Sequence, residues 1–117
     1  MPDAAQTYSE TVQTARNYYN SGDADNFYSI VWGGEDIHIG LYNSGDDSIR
    51  EASRRTVTHL AEIPEALDSE TAVLDMGSGY GGAARYLASK YGARVTALNL
   101  SERENARARE LNAQRGL

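Results

Sequence analysis

The 117-residue chain contains no cysteine, two prolines, one phenylalanine, one tryptophan and two histidines. Without thiols it can form neither a disulfide nor a thiolate metal site. His38 and His59 alone cannot build a histidine-rich metal constellation. No apolar run approaches bilayer-spanning length, and the N-terminus has no basic stretch leading into an apolar one. A cytoplasmic location is therefore expected. Positive charge is scarce too: 11 Lys and Arg against 17 Asp and Glu give a net charge of −6. No basic stripe is available to neutralise the phosphates of a nucleic acid or an anionic membrane, so neither is expected as a partner. Arg103, Arg107 and Arg109 do cluster, but Glu102, Glu104 and Glu110 interleave with them, the pattern of a solvated helix face. Glycine and tyrosine, by contrast, are plentiful, and the glycines carry a message.

Spacing divides the chain near residues 64–70. Before that boundary, Tyr8, Val12, Ala15 and Tyr19 recur at helical intervals and predict an amphipathic helix over residues 5–19. A short helix over 24–31 follows, with Phe27, Ile30 and Val31 expected inward, and Gly33-Gly34 breaks it. Ile37, Ile39 and Leu41 alternate, predicting an extended segment that ends at the turn Asn43-Ser44-Gly45-Asp46. Ser48 or Asp47 can cap a third helix whose apolar stripe is Ile49, Ala52, Thr56, Leu60 and Ile63.

After the boundary the period changes. Residues 72–75 read as a strand, 81–90 as a helix with Ala84, Leu87 and Ala88 on one side, and 94–99 as a second strand. Ser101-Glu102-Arg103-Glu104 has the form of a capping box that opens a helix to about residue 115, with Gly116 beyond its end. The order is three helices, then β-α-β-α, an α/β chain. A doubly wound sheet normally has about five or six strands. The expectation is the N-terminal portion of a larger enzyme: residues 1–68 a helical cap or lid, residues 69–117 the first part of a Rossmann-like cofactor domain. The rest would be absent or supplied by another chain, through self-association or a complementing partner at the open sheet edge.

The most informative stretch joins these strands. In Val73-Leu74-Asp75-Met76-Gly77-Ser78-Gly79-Tyr80-Gly81-Gly82-Ala83, an apolar strand ends on a carboxylate, turns through glycines and opens a helix. Glycines let backbone approach a ligand, and a helix start offers unpaired N–H groups. Gly77, Gly79 and Gly82 satisfy the dinucleotide pattern G-x-G-x-x-G, so a nicotinamide cofactor has to be weighed. Asp75 before the first glycine, with Gly81 as a fourth, favours S-adenosylmethionine instead. A ligand-free tight turn is the bland alternative, but four glycines in six residues lose much chain entropy for that purpose. At the end of the second strand, where an acid usually holds the ribose, stands Asn99, followed by Leu100.

The strings Leu74-Asp75-Met76-Gly77-Ser78-Gly79-Tyr80-Gly81-Gly82 and Leu98-Asn99-Leu100-Ser101-Glu102 resemble those of the sarcosine/dimethylglycine N-methyltransferases, which make glycine betaine. The likeness extends upstream through Tyr18-Tyr19-Asn20, Asp25-Asn26-Phe27-Tyr28 and Val31-Trp32-Gly33-Gly34-Glu35-Asp36-Ile37-His38-Ile39-Gly40-Leu41-Tyr42, and covers nearly the whole chain. Phosphoethanolamine methyltransferases and cyclopropane fatty-acid synthases share the layout more distantly. The resemblance implies a class I methyltransferase fold with a helical segment closing over the cofactor, S-adenosylmethionine, and a small amine substrate. It assigns Tyr19 as a latch near the donor methyl, Tyr28 and Trp32 as aromatics lining the closure region, and Ile37-His38 as contacts to the methionine part. Asp75, Gly77, Ser78, Gly79, Gly81, Asn99 and Leu100 complete the implied cofactor site. Relatives often carry Gln where this chain has Glu104. Core packing stays the alternative for Tyr19 and Trp32, a structural histidine for His38, and His59 reads as structural or solvent-facing. A noncatalytic S-adenosylmethionine-binding or assembly module, or a methyltransferase for another amine such as glycine or phosphoethanolamine, remains the other reading.

Overall fold

The computed structural model describes residues 7–117, so the start of the first expected helix lies outside the described residues. Helix α1 spans Glu10–Tyr19, later than the periodicity predicts, because the Ser9 side chain accepts the Val12 N–H and sets the start there. Such a cap is worth about 1 kcal/mol. Ser21 caps α2 (Gly22–Asn26) in the same way, and α2 runs directly into a π-helical turn, Phe27–Val31. Here the inward assignment of Phe27, Ile30 and Val31 fails: all three are exposed, Ile30 by 77%, and Ala24 is the buried residue. The wider winding of a π turn changes which positions share a face, so helical spacing no longer predicts it.

Residues 37–41 are also not a strand. They form a strap laid along α3 (Ile49–Ala61), whose side chains take the place of a partner strand. Ser53 Oγ accepts the His38 N–H and donates to the Asp36 carbonyl, each at 3.0 Å. Thr56 Oγ1 donates to the Ile39 carbonyl at 2.6 Å, and the Leu41 N–H reaches the Ala52 carbonyl at 3.0 Å. Backbone polar groups must be paired, and this helix pairs them. The strap lies so close that a Cβ on Gly40 would stand 2.4 Å from the Ala52 methyl. Helix α3 therefore turns its small residues inward, burying Ala52, Ser53, Val57 and Ala61, while Leu60 and Ile63 of the predicted stripe are exposed. Its start does follow the sequence: Ser48 and Glu51 form a reciprocal capping box.

The second half follows the predicted order closely. Strand β1 (Ala72–Met76) lies parallel to β2 (Arg94–Leu98), in register from Ala72 opposite Arg94 to Met76 opposite Leu98. Helix α4 (Gly82–Tyr91) links them, and α5 (Glu102–Gln114) follows β2. On one face of the sheet Val73 and Asp75 turn toward α3 and α4; on the other, Leu74, Met76 and Leu98 face solvent, Met76 by 73%. Among the described residues no helix is long and apolar enough to cross a membrane.

Polar groups fasten the helical segment to the β-α-β-α half. Arg16 and Asn20 grip the Glu102 carboxylate at 2.9 and 2.8 Å. The Tyr80 hydroxyl, in the glycine loop and almost fully buried, donates to Asp25 Oδ1 at 2.7 Å. Glu35 meets three guanidiniums, and Asp36 meets Arg54 at 2.7 Å.

Candidate functional site

Where β1 ends, the N–H groups of Gly77 and Ser78 both donate to the Leu98 carbonyl, at 2.8 and 3.1 Å, so the glycine loop folds over the end of β2. Gly77 and Gly79 have φ of 74° and 54°, a region glycine adopts without strain. The loop forms the floor of a cavity of about 700 Å³ whose walls come from both halves of the molecule. From the helical segment come Tyr8, Tyr19, Tyr28 and Ile37; from the strand end and α5 come Asn99, Leu100 and Glu104. The size and the mixed lining are those of a small-molecule site. Tyr19 and Tyr28 stack with centroids 6.4 Å apart, and Trp32 meets Tyr28 edge-on at 6.0 Å. The neighbouring Tyr18 hydroxyl, with burial, pushes the Tyr28 phenol up to about 12, so it stays protonated. Ile37 Cδ1 would lie 3.3 Å from a Cβ on Gly79, so this side chain rests directly on the loop.

Electrostatically, the cavity is defined by Glu104. The sequence pattern places its carboxylate on the Ser101 N–H as half of a capping box; the structure overturns this. Ser101 Oγ does accept the Glu104 N–H at 3.2 Å, but the carboxylate turns away, and its Oε1 accepts from Asn99 Nδ2 at 3.0 Å. Glu104 is only 3% exposed, and its Oε2 has no hydrogen-bond partner. Burial raises its pKa, the Asn99 bond opposes the rise and Asp25 adds to it. A buried carboxylate oxygen without a donor is costly unless a ligand supplies one. No local signal could have separated this arrangement from a capping box, because a glutamate three residues after a serine suits either.

The other sequence-predicted site residues fall elsewhere. Ser78 and Gly81 shape the loop, with the Gly81 N–H on the Ser78 carbonyl at 2.8 Å and Gly81 starting α4. Trp32 stands behind Tyr28 and donates its ring N–H to the His38 carbonyl at 3.0 Å. His38 and Asp75 line a separate, mostly apolar cavity of about 300 Å³ among α3, β1 and α4. Asp75 Oδ2 is buried without a partner there; burial raises its pKa and His38 opposes the rise. A further hollow of about 580 Å³ lies between α5 and residues 25–35, but its acids are already committed: Asp25 to Arg103, Glu35 to Arg115 and Glu110 to Arg107.

The family model for mycolic acid cyclopropane synthetase matches residues 6–117. The chain belongs to that family. Within it, the sequence is 60% identical over 108 residues to the sarcosine/dimethylglycine N-methyltransferase of Halorhodospira halochloris, covering 92% of this chain and 39% of that protein. A chain from Galdieria sulphuraria assigned as a sarcosine dimethylglycine methyltransferase superposes with a TM-score of 0.73 at 48% identity, over 81% of this chain and 38% of that one. Geranyl diphosphate C-methyltransferase from Streptomyces coelicolor, solved with S-adenosyl-L-homocysteine, shares the fold alone, with a TM-score of 0.74 at 13% identity over 95% of this chain and 45% of that one. This family member thus has the opening portion of a class I methyltransferase fold, and it spans about two fifths of the length of the Halorhodospira halochloris and Galdieria sulphuraria proteins.

Proposed function

We propose that this chain is the cofactor-binding portion of an S-adenosylmethionine-dependent N-methyltransferase that converts sarcosine and dimethylglycine to glycine betaine in the cytoplasm. Residues 69–117 are its first cofactor-binding part and residues 1–68 the cap over it. The observation that carries the reading is the orphan Glu104 Oε2 beside Asn99, in a cavity floored by Gly77 and Gly79. Nucleoside hydroxyls would supply the donor that Glu104 lacks. The 60% identity to a sarcosine/dimethylglycine N-methyltransferase supports the reaction class, and the fold relative solved with S-adenosyl-L-homocysteine supports the cofactor.

When bound, S-adenosylmethionine supplies an electrophilic methyl on a sulfonium. Asn99 and Glu104 would hold its ribose, Leu100 and Ile37 would flank it, and the glycine loop would admit its backbone-close portion. The stacked faces of Tyr19 and Tyr28 suit a sulfonium and a methylated ammonium through cation–π attraction. Trp32 holds Tyr28 from behind. His38 and Asp75 line the neighbouring cavity, from which they would support the methionine end only through Ile37 and the glycine loop. Orientation of the amine lone pair is the large term in such a transfer, so Tyr19 acts as a latch rather than as an acid or base.

Two measurements test this. Titration calorimetry of the chain with S-adenosylhomocysteine should show saturable binding. The whole protein, given S-adenosylmethionine and dimethylglycine, should form betaine. No binding sinks the cofactor assignment, and methyl transfer only to another amine sinks the substrate. The solvent-facing Leu74, Met76 and Leu98 favour a second reading for the 117 residues taken alone, a chain that binds cofactor without turnover. Turnover by residues 1–117 would overturn that.

A further inference from the structure

A dense polar cluster lies outside the cavity. Glu35 is 8% exposed, and its carboxylate is shared by three guanidiniums from three helices. Arg115, capping the end of α5, engages both oxygens, with Nη2 to Oε2 at 2.9 Å. Arg85 of α4 donates its Nε–H at 3.3 Å, and Arg54 of α3 stands at 3.6 Å. Behind this cluster the backbone has no slack. A Cβ on Gly82 would fall 2.5 Å from the Glu35 carbonyl oxygen and 2.1 Å from Asp36 Oδ1, so glycine at the start of α4 is what lets the two halves meet here.

Two residues along the chain, Ile37 rests on Gly79 in the cavity floor. The intervening backbone is pinned on its other side by Ser53, which is fully buried and bonds both the Asp36 carbonyl and the His38 N–H. A short strap fixed at Glu35 and Ser53 leaves the Ile37 side chain little freedom.

We propose that Glu35 is a positioning residue for cofactor binding. By drawing α3, α4 and α5 onto one carboxylate it seats residues 35–38 against the α4 start and so holds Ile37 across the glycine loop. This rests on the cofactor reading above. Buried pairs of this kind do not by themselves add much stability, since desolvation offsets attraction, whereas removing one partner strands the rest. Their value here lies in geometry, as three long side chains from three elements converge at one point only when all three elements are docked.

The strap carries its own reporter. Trp32 is the sole tryptophan, and its ring N–H is bonded to the His38 carbonyl. The experiment compares the 117-residue chain with Glu35→Gln by calorimetry against S-adenosylhomocysteine and by tryptophan emission. Glu35→Gln is expected to bind about tenfold more weakly, with Trp32 emission moved to the red and far-UV circular dichroism unchanged. Binding and emission both matching wild type overturn the inference. Should Glu35→Gln not fold, Arg115→Gln at the half-exposed helix end leaves Arg54 and Arg85 on the carboxylate. It should show the same two changes at roughly threefold in affinity, and its matching wild type is equally fatal. A wild-type chain that binds no S-adenosylhomocysteine overturns the cofactor reading and this inference together. Wild-type binding with unaffected variants overturns this inference alone.

Discussion

Glu35 and Glu104 are buried to nearly the same extent, 8% and 3% exposed, in opposite electrostatic settings. At the seam between the helical segment and α4, burial raises the Glu35 pKa, but Arg115, Arg85 and Arg54 more than reverse the rise and leave it below the ordinary carboxylate value. In the cavity, burial raises the Glu104 pKa and one amide bond from Asn99 does not compensate. The first carboxylate is saturated with donors and the second is short of one. A fully paired buried acid closes an interface, whereas an underpaired one beside a cavity waits for a ligand.

The contrast can be broken most violently at the seam. Gly82→Val would push a side chain into Asp36 and the Glu35 carbonyl. It should cost about 3 kcal/mol in urea denaturation, as overpacking does. Gly79→Val acts on the cavity side, pressing on Ile37 and forcing a branched residue to φ 54°. About a hundredfold loss of S-adenosylhomocysteine affinity is expected by calorimetry, and unchanged affinity would refute the cradle assignment.

Smaller effects sharpen the comparison through pH. The Glu35 pKa is lowered from 4.5, so its stabilisation is present above that value and disappears as pH falls through the folded pKa. The Glu104 pKa is raised from 4.5, so the stability linked to it is full below that value and is lost as pH rises through the folded pKa. Glu35→Gln should therefore melt below wild type at pH 7 and converge with it in acid. Glu104→Gln should melt slightly above wild type at pH 7 and also converge in acid. Differences of the same sign for the two variants would remove the distinction drawn between them. The smallest change belongs to the exposed tie at Glu102, which the Arg16 and Asn20 hydrogen bonds hold down at about 2. Glu102→Gln should leave the melting temperature within error near neutrality, because exposed pairs are screened.

What the sequence disclosed follows from locality. The glycine loop, the two strands, a cap at Ser48 and the order β-α-β-α all depend on neighbours within a few residues, and the structure has them. Gly79 and Asn99 stand out from the glycine turn and the strand end, Ile37 only through the family resemblance, and the three meet at one cavity. The Glu35 cluster was not legible, because its partners lie 50 and 80 residues away and no short pattern encodes them. Glu104 was misread because a local motif fits it equally well. Residues 37–41 look like a strand because alternation records extension, and it cannot say whether a sheet or a helix supplies the hydrogen bonds. Phe27, Ile30 and Val31 mislead because helical spacing presumes α geometry, and the chain winds more widely there.

The solvent-facing side of the sheet has a consequence for handling the protein. At net charge −6, copies repel one another in dilute buffer, while Leu74, Met76 and Leu98 offer each copy a greasy plane. Added salt shortens the reach of the repulsion to about 10 Å at 0.1 M and strengthens the pull between those planes. Light scattering and dye binding should accordingly rise with ionic strength, so the protein is best kept in fresh rather than salty buffer, cold and thinly spread.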